Sequence, residues 1–167
     1  MAPIWIQTQR NALNKVVNKF NRNLTPLGVR VKKLGLDAFS VEYGNSNIRV
    51  NTRPDLLTGN LSGGGTHPTN RKKGVATVLR TFATAILRNA GFVKVRHQGV
   101  FLVNTNRNKT GGVPITTHVV RKHLGFVPVK GSNANRNYRS VWMPNRYPKK
   151  LKNAEQSAKL RLASLRK

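Results

Sequence analysis

The sequence has no cysteine, and only 4 Asp+Glu stand against 31 Lys+Arg in 167 residues. Without cysteine there is no disulfide framework, no Cys-ligated zinc and no thiol nucleophile. The four acids are Asp37, Glu42, Asp55 and Glu155. Carboxylates for general-base work are therefore scarce, and most cations have no possible partner within the chain. Long apolar runs are also missing, so no stretch is suited to spanning a membrane. The opening Met1-Ala2-Pro3-Ile4-Trp5-Ile6 lacks the basic head and extended apolar stretch of a secretory signal. The expectation is a cytoplasmic protein of a nucleoid, ribonucleoprotein or virion interior, neither secreted nor membrane-bound. What is present is charge of one sign. The formal net charge is +27, and self-repulsion of that size destabilises a compact state unless counter-charge is bound. Nucleic acid, DNA or RNA, is the partner that supplies it at highest density. The apolar fraction of 38% is enough for one core.

Along the chain, Leu13, Val16, Val17 and Phe20 recur at helical spacing between Gln9 and Phe20. The pattern then changes to short strands, Val29–Val31, Ala38–Tyr43 and Ile48–Val50, separated by turn residues that include Gly44-Asn45-Ser46-Asn47. This predicts an antiparallel meander. The segment 56–67 is ambiguous between loop and strand. Val75, Val78, Leu79, Phe82 and Ile86 predict a long helix stopped by Asn89-Ala90-Gly91. Phe92 to Val95 and Gly99 to Val103 read as strand, with Arg96-His97-Gln98 as a polar break. A short helix from about Thr116 to Leu124 ends at Gly125, and Phe126 to Lys130 pairs with Tyr138 to Met143 as a hairpin. Pro144 and Pro148 bracket a linker, and a basic, mostly helical extension carrying Leu151, Leu160, Leu162 and Leu165 follows.

Chemistry concentrates first at Arg71-Lys72-Lys73-Gly74-Val75-Ala76, which opens the long helix. Each cation at a helix N-terminus opposes the helix dipole at a cost of about 0.3–1 kcal/mol. Three together point to a bound anion, since free N–H groups at that end favour phosphate and Gly74 permits close approach. The plainer alternative is that Asn70 caps the helix and the cations face water. Arg71-x-x-Gly74-x-Ala76 before a long helix, with His67-Pro68 upstream and Leu124-Gly125-Phe126 closing a later helix, resembles the GNAT acyltransferase superfamily. The resemblance runs from about Thr66 to Met143. It implies a mixed, mostly antiparallel sheet flanked by helices, with acetyl-CoA or another acyl-CoA held by the backbone of Arg71, Lys72, Lys73, Gly74, Val75 and Ala76. The family commonly has a tyrosine as general acid four residues before the glycine of the late Leu-Gly-Phe step. Here that position is Arg121, which cannot donate a proton at neutral pH but can stabilise an anion.

The catalytic candidates are Glu42, His97 and Arg121. His118 and His123 are five apart, unsuited to paired ligation from one helix face, and no metal is expected. Basic segments without acids supply the candidate nucleic-acid contacts: Arg107 and Lys109 in one loop, Arg136 and Arg139 near the hairpin, Arg146, Lys149 and Lys150 after it, and Lys159, Arg161, Arg166 and Lys167 at the end. Arg and Lys contact phosphate while neighbouring Asn and Thr add hydrogen bonds. A membrane-surface helix over the leucines of the extension is the rival reading there.

The expected architecture is α/β, a single GNAT-like domain over 1–147 and a basic C-terminal tail over 148–167. Two functions follow. One is a structural nucleic-acid-associated protein in a viral particle or ribonucleoprotein, without catalysis and packed with other proteins of a larger assembly. The chain resembles internal virion proteins of some tailed phages, which carry degenerate GNAT domains, and its Asn-rich, acid-poor composition suits packing against genome. The other is an acyl-CoA-dependent enzyme modifying nucleic acid or a protein bound to it. An open groove between the central strands favours the enzyme, and side chains filling it favour the scaffold.

Overall fold

The computed structural model describes residues 1–62, 74–99, 115–130, 138–143 and 148–166. Helix α1 (Ile4–Leu24) starts on the Pro3 carbonyl, which accepts from the N–H groups of Ile6 and Gln7. It runs about a turn longer at each end than the Gln9–Phe20 periodicity predicts: exposed Ile4 and Trp5 open it on the Pro3 carbonyl, and buried Leu24 adds a last apolar residue after Phe20. Leu13, Val17 and Leu24 form the buried edge. Pro26 and left-handed Gly28 (φ +86°) end it and turn the chain into the sheet.

Strands β1 (Val29–Lys33), β2 (Ala38–Tyr43) and β3 (Ser46–Arg53) form the expected antiparallel meander. Tyr43 pairs with Ser46 across the two-residue turn Gly44-Asn45. The ambiguous segment supplies a strand, β4 (Thr58–Ser62), entered through a short 3-10 turn at Pro54–Leu56. Helix α2 (Val75–Asn89) crosses over to β5 (Lys94–Gly99), which lies parallel to β4. Strand β5 starts at Lys94 rather than Phe92, since the Leu57 carbonyl takes the N–H groups of both Val93 and Lys94. Helix α3 (Ile115–His123) closes with left-handed Gly125 (φ +81°) and a Phe126 N–H to Val120 carbonyl bond. Then come β6 (Val127–Pro128), its antiparallel partner β7 (Tyr138–Trp142) and helix α4 (Pro148–Leu165). The result is α/β: one mixed, mostly antiparallel sheet of order β1-β2-β3-β4-β5-β7-β6.

Strand alternation sorts the sheet into two unlike faces. Val29, Val31, Phe39, Val41, Ile48, Val50, Leu61, Val95 and Trp142 point to one side and are buried. Helices α1, α2 and α3 lie on that side, and α4 packs outside α2. Helix α2 is thus enclosed, with Phe82, Ala83, Ile86 and Leu87 fully buried. The segment set apart above as a basic tail is α4, whose Leu151, Ala158 and Leu162 belong to the same core as the sheet. On the sheet's other side no described helix packs, although Ala38, Ser40 and Thr58 are buried there.

Two close contacts hold this arrangement. Arg10 of α1 donates from Nε and Nη2 to the Asp37 carboxylate at 2.9 and 2.8 Å, which pulls that carboxyl below its ordinary pKa. Gly59 of β4 lies so near α2 that a Cβ there would come to 2.5 Å from a Leu87 methyl. Leu87 is fully buried, so its side chain has little room to give way. Gly59→Ala is expected to lower unfolding stability by about 1–3 kcal/mol, readable as a drop in urea midpoint at unchanged m-value.

Candidate functional site

The cations of the open sheet face come from residues that alternate with buried ones. Arg30 of β1 stands between Val29 and Val31, and Lys32 between Val31 and Lys33. Arg49 of β3 lies between Ile48 and Val50. Lys94 and Arg96 flank Val95 on β5, and Arg139 pairs with Gln98 across β5 and β7. Arg30, Lys32, Arg49, Arg96 and Arg139 are exposed, and Lys94 is half-buried. Asn51, Asn60 and Arg96 sit in one row, since Asn51 pairs with Asn60 and Asn60 with Arg96. The only carboxylate on this face is Glu42, which accepts from Ser40 Oγ at 3.1 Å and lies 3.9 Å from Lys32 Nζ. The other three acids are placed elsewhere: Asp37 with Arg10, Asp55 with Arg53, and Glu155 on α4.

Of the nucleic-acid candidates, Arg139 joins this face. Lys149, Lys150, Lys159, Arg161 and Arg166 lie exposed on or just after α4, in the outer layer behind α2. Arg107, Lys109, Arg136, Arg146 and Lys167 lie outside the described residues. Arg30, Lys32, Arg49, Lys94 and Arg96 share the face and were not among the sequence candidates. Their signal was legible: a basic residue at every second position of a strand, between apolar ones.

A cleft of about 560 Å³ opens beside the β4–β5 pair, lined among others by Asn60, Leu61, Arg96, His97, Arg139 and Ser140. The two strands stay paired from Thr58–Lys94 to Leu61–His97. No carboxylate lines the cleft. His97 is not in a polar break: it is an interior residue of β5, 5% exposed, facing the helices. Its ring meets Phe126 edge-on at 6.5 Å. Burial, and then the charges of Arg80 and Arg121, push its pKa down to about 3. At neutral pH it is uncharged and too weak a base for general-base catalysis. Glu42 lies on β2, on the opposite face of the sheet, so the two cannot act on one substrate. Arg121 does come close to His97: its Nε donates to Ser140 Oγ at 2.7 Å, and Ser140 pairs with His97 across β5 and β7.

At the CoA-like motif, Arg71, Lys72 and Lys73 lie outside the described residues. Gly74, left-handed at φ +77°, takes the N-cap position instead of Asn70, and the helix opens at Val75. Val75 is buried and Ala76 half-buried. Among the described residues no side chain caps the helix and no acid stands in its first turn, an end whose N–H groups suit an anion. The Arg161 side chain of α4 reaches this end, 3.4 Å from where a Gly74 Cβ would sit. A residue assigned to the tail therefore lies beside the motif. No group of three or more metal-ligating side chains forms among the described residues, and no described helix is long and apolar enough to cross a membrane.

The sequence matches no family model and no curated protein. Similar solved structures include an aminoglycoside 6'-N-acetyltransferase complexed with coenzyme A, at 10% identity over 85% of this chain and 92% of that one, with a TM-score of 0.48. A GNAT family N-acetyltransferase (YhbS) from Escherichia coli in complex with CoA is similar at 12% identity over 90% and 81%, with a TM-score of 0.46. An acetyltransferase of the GNAT family from Desulfovibrio desulfuricans is similar at 8% identity over 85% and 94%, with a TM-score of 0.45.

Proposed function

We propose that the protein is a structural, nucleic-acid-associated component of a viral particle or ribonucleoprotein, which holds phosphate backbones on its open sheet face and does not catalyse acyl transfer. The observation that carries this is the face itself: Arg30, Lys32, Arg49, Lys94, Arg96 and Arg139 against a single carboxylate. Its aromatic neighbours Phe39, Tyr43, Tyr138 and Trp142 alternate to the helical side. No described side chain on the face offers a stacking surface for bases. Recognition is then of phosphate, with weak sequence preference. The acid-free cleft and the neutral His97 support the absence of catalysis, because no described group there is poised to take a proton from an acceptor amine.

One observation favours the second reading, an acyl-CoA-dependent enzyme acting on nucleic acid or a protein bound to it. The uncapped N-terminus of α2, with Arg161 beside Gly74, is electrostatically suited to a pyrophosphate. Calorimetric titration of nucleic-acid-free protein with acetyl-CoA separates the two, with the double variant Arg71→Ala, Gly74→Glu as control. The expected result is no saturable acetyl-CoA binding, beside tight, salt-sensitive binding of mixed-sequence nucleic acid. Saturable binding abolished by the double variant, in protein that keeps its native circular dichroism, would establish the enzyme reading instead.

A further inference from the structure

Four buried side-chain atoms among the described residues have no hydrogen-bond partner: Arg80 Nε, His97 Nδ1, Thr117 Oγ1 and Trp142 Nε1. Buried polar groups are almost always satisfied, so four left over in one protein ask for an explanation. They are not scattered. Arg80 belongs to α2, His97 to β5, Thr117 to α3 and Trp142 to β7, and α3 joins them, packing on α2, β5 and β7. Trp142 and Ser140 project from the same face of β7, and Ser140 is paired with His97. Thr117 stands one helical turn before Arg121, whose guanidinium bonds Ser140. Arg80 and Arg121 both act electrostatically on His97.

Three of the four unused atoms are donors, and the fourth, His97 Nδ1, donates or accepts according to its tautomer. An indole N–H and a guanidinium Nε–H only donate, and a threonine hydroxyl can donate. Arg80 has a single hydrogen bond, from Nη1 to the Ala76 carbonyl at 3.1 Å. Burial lowers its pKa to about 10, so it stays charged at neutral pH. Its counter-charge cannot be a side chain of this protein. All four carboxylates in the sequence lie in described segments, and three are engaged elsewhere. The fourth, Glu155, responds to Lys159 and Arg88 rather than to Arg80. Water could satisfy the donors but not the charge.

We infer that the junction of α2, α3, β5 and β7 binds a phosphate group, with Arg80 as charge partner, Trp142 Nε1 and Thr117 Oγ1 as donors, and Arg121 and neutral His97 beside it. The cleft lined by Asn60, Arg96 and Arg139 opens on the other face of the paired β4, β5 and β7 strands and is not part of this site. The group is either inorganic phosphate or the terminal monoester of a nucleotide chain, since an enclosed site accepts an end more readily than the middle of a backbone. This site is separate from the open sheet face and does not depend on the function proposed for it.

Calorimetric titration of inorganic phosphate into nucleic-acid-free protein, with chloride balancing ionic strength, tests this. One saturable site is expected. Arg80→Met, which keeps the stem and removes the charge, and Trp142→Phe, which keeps the packing and removes the donor, should each weaken it roughly tenfold or more. Absence of saturable binding overturns the proposal, and so does phosphate affinity unchanged in both variants. If Arg80→Met does not fold, Trp142→Phe alone decides. A second arm compares a 5'-phosphorylated dinucleotide with its 5'-hydroxyl form. Competition by the phosphorylated form alone identifies a chain terminus as ligand, and competition by neither identifies the free ion. Binding of long mixed-sequence nucleic acid should be equal in Arg80→Met and wild type, so failure here and failure of the sheet-face reading are told apart.

Discussion

Unfolding stability is expected to fall steeply as pH drops below about 6.5, and His97→Gln should flatten that fall. His97 titrates at about 3 in the folded protein against an ordinary 6.5. Between those values the unfolded chain binds the proton and the folded one does not, so stability rises with pH across the window. The contribution is fully present above pH 6.5 and is lost progressively toward pH 3. One proton over the two units from pH 6.5 to 4.5 amounts to roughly 3 kcal/mol. The groups facing His97 all oppose its protonation or are neutral: Arg80 from α2, Arg121 from α3, Ser140 and Trp142 from β7, Leu61 from β4 and the Phe126 ring. Asp37 and Asp55, whose pKa values are lowered by Arg10 and Arg53, add their own acid loss at lower pH, equally in wild type and variant. Urea unfolding at successive pH values in phosphate-free buffers reads the difference. Parallel pH dependences of the two proteins would show that His97 is solvated in the native state.

The second large effect concerns the sheet face. Replacing Arg49, Arg96 and Arg139 together by Gln removes three exposed charges without touching a buried side chain. If all six cations of the face neutralise phosphates of duplex DNA, the log–log dependence of affinity on salt has a slope of about −5. The triple variant should reduce it to about −3 and weaken binding near 0.15 M salt by roughly 100-fold. The matching control neutralises Lys149, Lys150 and Lys159, which lie on α4 in the outer layer. That variant should leave the slope nearly unchanged. The reverse result, with the α4 variant losing affinity and the strand variant keeping it, would move the nucleic acid to the opposite side of the molecule.

Several elements were legible in advance because their signals are local. The 3.6-residue spacing of Val75, Val78, Leu79, Phe82 and Ile86, with Gly91 as a stop, defines α2 almost to the residue. Two-residue alternation and the Gly44-Asn45 turn define β1 to β3. His97 was misread because Arg96 and Gln98 on either side are polar. In a strand those neighbours face the other way, and only pairing with β4 and β7 shows that position 97 points inward. Helix α4 was read as a helical extension outside the domain, because its buried residues, Leu151, Ala158 and Leu162, are sparse among cations. A stripe so thin acquires meaning only against α2. Glu42, His97 and Arg121 could be named from sequence as candidates, but whether they converge is a matter of sheet faces.

The sequence by itself determined the electrostatic problem. With four acids and a net charge of +27, no fold of this chain can neutralise its own cations, whatever its topology. Tertiary structure alone decided where the excess is left. The pleat of the sheet gathers Arg30, Lys32, Arg49, Lys94, Arg96 and Arg139, distant in sequence, onto one open face. The packing of α2 against α3 leaves Arg80 half-buried with no carboxylate beside it. Charge balance is a sum over residues and needs no coordinates. The position of an unbalanced charge depends on which residues pairing and packing bring together across long separations in the chain.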